Sequence, residues 1–252
     1  MSTSERHRRI LALVDAAEFV SVAELVAEVG ASEATLRRDL SDLDAQGLLR
    51  RVHGGARPAQ LRGFGQPFAA RTSVNQEGKR RIAASAAALL SPGEAVVLDS
   101  GTTALETARS LTQMQLRVVP LCLPGLSALT AGDTVSITTP GGDLRVDEQA
   151  FTGPLTQRTL SSLRFDTALI TPCAVSLHSG ATAFDLDDAA VKQAAMDSSA
   201  RRILLCDATK WGRTAFAAVA PLERFDALVT DRELSGEERA QLADAGVEVH
   251  IV

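Results

Sequence analysis

The stretch Ala95-Val96-Val97-Leu98-Asp99-Ser100-Gly101-Thr102-Thr103 decides the fold: an apolar run gives way to an acid, a glycine and hydroxyls directly ahead of a helical pattern over 102–114. Four apolar residues bounded by polar ones suit a strand buried on both faces. The Ser-Gly-Thr-Thr turn suits a helix N-terminus, where free backbone amides and the helix dipole favour an anion. The expected guest is phosphate; the plainer alternative is a tight strand-to-helix turn with a threonine cap. Working outward, apolar strand candidates recur at 116–121, 135–138, 167–171, 203–206, 227–230 and 247–252, and helical stretches at 79–90, 187–200 and 236–245. Apolar strands separated by amphipathic helices imply a mainly parallel sheet covered on both faces. That is a Rossmann-like α/β architecture, whose ligands bind at the carboxyl ends of the strands.

Two further strand ends carry polar residues. Gly141-Gly142 closes the strand at 135–138 and permits close approach of a ligand, while Asp207-Ala208-Thr209-Lys210-Trp211-Gly212-Arg213 follows the strand at 203–206. The chain has only three lysines, Lys79, Lys192 and Lys210, among 26 basic residues, so a composition that prefers arginine keeps a compact ammonium at these places. The alternative for each is chance or surface solvation.

The first 56 residues have a different rhythm. Ile10, Leu13, Val14 and Ala17 mark one face of a helix; Ser21 with Glu24 forms a capping box for a second helix that Gly30 can close. Ser32 is a second N-cap, and Leu36, Leu40 and Leu43 then recur at helical spacing. This is a helix-turn-helix spacing. Opposite the leucines the third helix presents Ala34, Arg38 and Ser41, flanked by Thr35 and Arg37, as a helix entering the major groove requires: small residues allow approach, and guanidinium groups reach phosphates or guanine. After Gly47, Leu48-Leu49-Arg50-Arg51-Val52-His53-Gly54-Gly55 suits a β-wing whose arginines touch the DNA backbone.

Charge supports this division. The net charge is −5, yet residues 1–62 hold nine arginines and nine acids, so the whole excess lies beyond them. The arginines cluster as Arg6, Arg8 and Arg9, then Arg37 and Arg38, then Arg50, Arg51, Arg57 and Arg62, so a neutral segment can still carry a basic face. With 45% apolar and 23% charged residues, disorder and fibrous repeats are excluded. No apolar run approaches the roughly 18 residues of a membrane span and no signal peptide is visible, so a cytoplasmic protein is expected. Cys122, Cys173 and Cys206 are far apart in apolar surroundings and read as reduced core thiols, with no metal site.

Together, Ser21-Val22-Ala23-Glu24-Leu25, the run Ala31-Ser32-Glu33-Ala34-Thr35-Leu36-Arg37-Arg38-Asp39-Leu40 and the closing Arg51-Val52-His53-Gly54-Gly55-Ala56 resemble the winged helix-turn-helix of DeoR-type bacterial transcription regulators. Asp99-Ser100-Gly101-Thr102-Thr103, Gly141-Gly142, the stretch Asp187 to Lys192 and the stretch Asp207 to Gly212 are similar, in order and spacing, to that family's effector domain. Such domains resemble ribose-5-phosphate isomerase and sense phosphorylated sugars or their breakdown products. Two departures, Asp187-Asp188 for the usual Glu-Glu and Ala208-Thr209-Lys210-Trp211 for Ser-Ser-Lys-Phe, bear on which sugar fits.

The resemblance and the residue reading imply a winged helix-turn-helix over 1–57, a linker over 58–78 and an α/β effector domain over 79–252. The linker holds an element similar to the family's F-x-x-R…N at Phe68, Arg71 and Asn75, which either carries signal between domains or is a partly ordered tether. Ser32, Ala34, Thr35, Arg37, Arg38, Ser41, Arg50, Arg51, His53 and Gly54 are the expected DNA-binding residues. Asp99, Ser100, Gly101, Thr102, Thr103, Gly141, Gly142, Asp185, Lys192 and Lys210 are those expected for the effector. The partners implied are double-stranded operator DNA, a phosphorylated sugar or related metabolite, and further copies of the chain in a homodimer or homotetramer, with no membrane and no cofactor. The competing reading is a sugar-phosphate isomerase or deaminase fused to a DNA-binding domain. Isomerisation needs a positioned carboxylate base, and the segment Cys173-Ala174-Val175-Ser176-Leu177-His178 after the central strand contains none. His178 reads as a lining or surface residue, so no catalytic residue is expected.

Overall fold

The computed structural model describes residues 3–15, 17, 19–45, 48–58 and 65–252, and the chain divides into two units, residues 1–65 and 66–252. Gly47, Arg62 and residues 59–64 of the expected linker lie outside the described residues.

In the first unit, helices α1 (Thr3–Asp15), α2 (Val22–Val29) and α3 (Glu33–Ala45) pack with three short strands, β1 (Val20–Ser21), β2 (Leu49–Val52) and β3 (Gly55–Pro58), ordered β1-β3-β2. The caps are those the sequence encodes. Ser21 Oγ accepts the Glu24 amide at 3.2 Å while Glu24 Oε2 accepts the Ser21 amide at 2.7 Å, and Gly30 ends α2 with φ +71°. Ser32 Oγ accepts the Thr35 amide at 3.3 Å at the start of α3. The apolar stripes meet in one core of Ile10, Val14, Leu25, Leu36, Leu40, Leu43 and Leu49. Each such side chain contributes about 1.5–3 kcal/mol on burial. The wing is a two-residue hairpin pairing Val52 with Gly55 around His53-Gly54, where Gly54 supplies φ +80°.

The second unit opens with α4 (Phe68–Thr72) and α5 (Gln76–Ala88). Of the expected linker over 58–78, residues 66–78 group with the second unit, where Phe68 buries its ring and the Lys79 ammonium donates to the Arg71 and Val74 carbonyls. There follow β4 (Ala95–Leu98), α6 (Thr102–Leu111), β5 (Arg117–Pro120), α7 (Leu123–Leu129), β6 (Ser136–Ile137), β7 (Asp143–Arg145), β8 (Ala150–Thr152), α8 (Gly153–Ser162) and β9 (Phe165–Ile170). The rest is β10 (Ala174–Ser176), β11 (Gly180–Ala183), α9 (Leu186–Asp197), β12 (Ser199–Leu205), β13 (Ala217–Ala220), β14 (Ala227–Thr230), α10 (Gly236–Asp244) and β15 (Glu248–Ile251).

All seven expected strands form one parallel sheet, ordered β15-β14-β12-β9-β4-β5-β6. Helices cover both faces, over two apolar layers centred on Val97, Ala168 and Leu204 on one side and on Val96, Leu98 and Leu169 on the other. From β4 the chain winds outward through β5 and β6, then crosses to β9 on the opposite flank of β4 and winds the other way. The crevice beyond the ends of β4 and β9 is therefore the topological switch point, where ligands of such sheets bind. The helix expected over 187–200 stops at Asp197, because Ser199 is already paired with Phe165 in the ladder and sheet pairing outweighs the helix preference of alanine. The hairpin β7–β8, the antiparallel sheet β10-β11-β13 and helices α7 and α8 lack a sequence signal; the strands are short and rich in Ala and Gly. The three thiols are free, and burial pushes each of them above its ordinary pKa, which leaves them unreactive.

Candidate functional site

At the switch point β4 delivers Asp99, whose carboxylate is almost completely buried. Oδ2 accepts the Thr171 amide at 2.8 Å, Oδ1 accepts the Ser100 amide at 2.7 Å, and the Lys192 ammonium of α9 donates to both oxygens at 2.8 Å. Lys192 also lies 3.1 Å from Asp188. Burial alone pulls the Lys192 ammonium down, but Asp188 and Asp99 overturn this and hold it above its ordinary range. Asp99 and Lys192, both expected at the effector, pair with one another inside the fold, where they fix the ends of β4, β9 and α9.

What they fix is the turn Ser100-Gly101-Thr102-Thr103. Gly101 adopts φ +106° as the residue ahead of α6, which has no side-chain cap, and Thr102 and Thr103 are buried beneath it. A side chain at Gly101 would stand 3.6 Å from Thr171 Oγ1 and 4.0 Å from Arg71 Nη1, so the Arg71 guanidinium lies over the N-terminus of α6. Arg71 also donates through Nε to the Gln66 carbonyl at 2.9 Å and pairs through Nη2 with Glu148 of the β7–β8 hairpin. Burial pushes the Glu148 carboxyl up against the pull of Arg71 and Arg145.

A second cation approaches from the 3-10 turn Ala208–Lys210 beyond β12. Burial, and Arg71 beside it, pull the Lys210 ammonium below its usual range, and Lys210 forms no ion pair among the described residues. Burial likewise lowers Lys79, against the attraction of Asp207. Asp207 Oδ1 accepts the Thr209 amide at 3.0 Å, while its buried Oδ2 has no hydrogen-bond partner among the described residues.

The remaining effector candidates serve the fold. Asp185 caps α9, accepting the Asp188 amide at 3.0 Å. Gly142, at φ +103°, packs where a Cβ would fall 2.0 Å from Thr156 Oγ1, and the Gly141 carbonyl accepts the Thr156 hydroxyl at 2.7 Å. The glycine pair, expected to open space for a ligand, lets the loop close onto α8. The sequence reading did not single out Glu148 or Thr171, named Asp207 only within a polar strand end, and gave Arg71 as part of an element that carries signal between domains or is a tether. The F-x-x-R…N pattern is the one signal that could have found Arg71.

In the first unit Ser32, Ala34, Arg37, Arg38, Arg50, Arg51, His53 and Gly54 are exposed, with Thr35 and Ser41 half-buried. Arg37 donates through Nε to Glu33 at 3.0 Å, whereas Arg38 makes no ion pair among the described residues. Arg51 Nη1 donates to Ser41 Oγ at 2.8 Å, which ties wing to helix across a cleft of about 170 Å³ lined by Arg37, Leu40, Arg51, His53 and Gly54. Small and cationic groups thus share one surface of α3 and the wing.

Family models match both units: a DeoR-like helix-turn-helix domain over residues 6–60 and a DeoR C terminal sensor domain over residues 74–232. The HTH-type transcriptional regulator GlpR of Haloferax volcanii is 34% identical over 249 residues, covering 99% of this chain and 98% of that protein. The transcriptional repressor AccR of Agrobacterium fabrum is 32% identical, covering 91% and 90%, and the lactose phosphotransferase system repressor of Lactococcus lactis is 31% identical, covering 93% of each. Among solved structures, ribose 5-phosphate isomerase A from Methanocaldococcus jannaschii is 14% identical over 54% of this chain and 55% of that one, with a TM-score of 0.41, too slight a likeness to carry chemistry across.

Proposed function

This chain belongs to the DeoR family of DNA-binding transcriptional regulators, and from that premise we propose that it represses a carbohydrate catabolic operon and leaves its operator when a phosphorylated sugar or related metabolite binds the second unit. A relative named for repression of a lactose phosphotransferase system supports a carbohydrate operon. The observation that carries the effector class is the Arg71 guanidinium over the uncapped N-terminus of α6 at the topological switch point, with the Lys210 ammonium near enough to Arg71 to be pulled down by it. A phosphate there would accept amide hydrogen bonds of the 101–103 turn, share Arg71 with Glu148, and give Lys210 the counter-charge it lacks among the described residues. Asp207, with one free oxygen, suits a sugar hydroxyl as its donor.

We read the site as a sensor and not an isomerase: the 173–178 segment has no carboxylate base, and the Glu148 carboxylate is engaged by Arg71. On the DNA side, α3 enters the major groove and the wing follows the backbone, with two copies on paired half-sites. Among the described residues no helix is long and apolar enough to cross a membrane, in keeping with a regulator acting on DNA in the cytoplasm. Calorimetry of the full chain with pentose and hexose phosphates and with the parent sugars tests the reading. Binding confined to phosphate esters is expected; equal binding of the unphosphorylated sugar, or turnover of the ester, would overturn it.

A further inference from the structure

We propose that Arg6 and His7 of α1 are positioning residues for operator recognition: by locking Asp39 on the buried side of α3 they fix the roll of that helix and so aim Arg38. The inference rests on the DNA-binding reading above. Arg6 grips Asp39 with both arms of its fork, Nε to Oδ2 at 2.6 Å and Nη2 to Oδ1 at 3.0 Å, and His7 Nε2 adds a contact to Oδ1 at 3.0 Å. An ionised carboxylate only accepts, so His7 presents its Nε2–H. The Asp39 side chain is 5% exposed, and the Arg6 guanidinium holds its carboxyl below the usual carboxylate range.

Leu36, Leu40 and Leu43 seat the helix in the core, and close packing limits its roll. The bidentate pair adds a directional restraint, because both N–H···O bonds must stay aligned. Asp39 precedes Leu40 and follows Arg38, so its side chain stands about 100° around the helix from that of Arg38. A roll of about 20° moves a point about 6 Å from the axis by about 2 Å, enough to take a guanidinium out of register with the two acceptors of a guanine. The clamp also corrects the reading of the N-terminal basic cluster: Arg6 is neutralised by Asp39 and is not part of a DNA-facing charge.

The test uses the full chain and two duplexes, one selected from a random pool by the wild-type protein and one of scrambled sequence, titrated by anisotropy over a salt series. Asp39→Asn and Arg6→Gln are expected to lower the ratio of selected to scrambled affinity by about tenfold or more. Affinity for the scrambled duplex and the steepness of its salt dependence should not fall. The double variant Arg6→Asp/Asp39→Arg should recover part of the ratio, and His7→Leu, which leaves the Arg6 pair intact, should lose less than either single variant. A loss of scrambled-duplex affinity with a salt slope lowered by about one would instead make Arg6 a phosphate contact, and a parallel fall in both affinities would reduce the clamp to a folding role. Either result, or an unchanged ratio, overturns the inference. Failure of the wild-type protein to select any sequence would be a failure of the DNA-binding reading itself.

Discussion

Arg37 and Arg38 are neighbours in α3 with different fates: Arg37 is held by Glu33 one turn back, while Arg38 projects without an ion pair among the described residues. Arg38→Ala should therefore weaken operator binding by about 1–3 kcal/mol and relax sequence preference, with folding intact, as read by anisotropy at fixed salt. Lys192 shows the opposite economy. Lys192→Met would leave Asp99 and Asp188 facing one another without their cation, a loss of about 3–5 kcal/mol that urea denaturation should report for the second unit. Asp39 gives a pH signature. Its folded carboxyl lies below the unfolded value near 3.9, so it protonates more readily when unfolded. Its stabilising contribution is complete above that unfolded value and is lost as the pH falls through the depressed one. Arg6→Gln should flatten the acid limb of the first unit's unfolding curve; an unaltered limb would mean that the pair contributes nothing.

Between elements, hydrogen bonds join surfaces that lie far apart in sequence. The wing reaches α3 through Arg51, whose backbone amide donates to Asp44 Oδ1 at 3.1 Å and whose side chain donates to Ser41. Arg51→Ala is expected to lower affinity for every duplex alike and to reduce the salt slope by about one, unlike the sequence-dependent effect at Arg38. The Gly141-Gly142 loop and α8 meet so closely that Gly142→Ala would place a Cβ 2.0 Å from Thr156 Oγ1 on a backbone of φ +103°. That should cost about 1–3 kcal/mol, a fall in melting temperature of several degrees by calorimetry, without changing affinity for a phosphate ester. Loss of ester binding with unchanged stability would return the glycine pair to the ligand site.

For the whole molecule, effector and operator should be linked by a coupling free energy that runs equally in both directions. Ser100 is only half-buried, so Ser100→Glu places an anion at the turn where the phosphate is expected; the variant should fold and bind operator normally yet fail to release it on addition of a sugar phosphate. Release that survives the substitution would remove the 100–103 turn from the effector site. Much of this architecture is legible without coordinates. The helix-turn-helix caps, the leucine stripe of α3, the wing and all seven parallel strands follow from periodicity and turn chemistry, because these signals act between residues a few positions apart. The turn at 100–103, leading from β4 into the uncapped N-terminus of α6, is legible for the same reason. The identity of the cations that face it is not: Arg71 lies in a stretch that reads as linker and becomes a helix only because Phe68 and Lys79 bind it to the second unit. Lys192 and Lys210 look equivalent in sequence, yet one is neutralised by two carboxylates and the other forms no ion pair among the described residues. The sequence alone determined which elements exist and which strand ends are polar. Only the tertiary structure decided which of those charges are paired inside the fold, because ion pairing depends on distances between side chains that distant parts of the chain bring together.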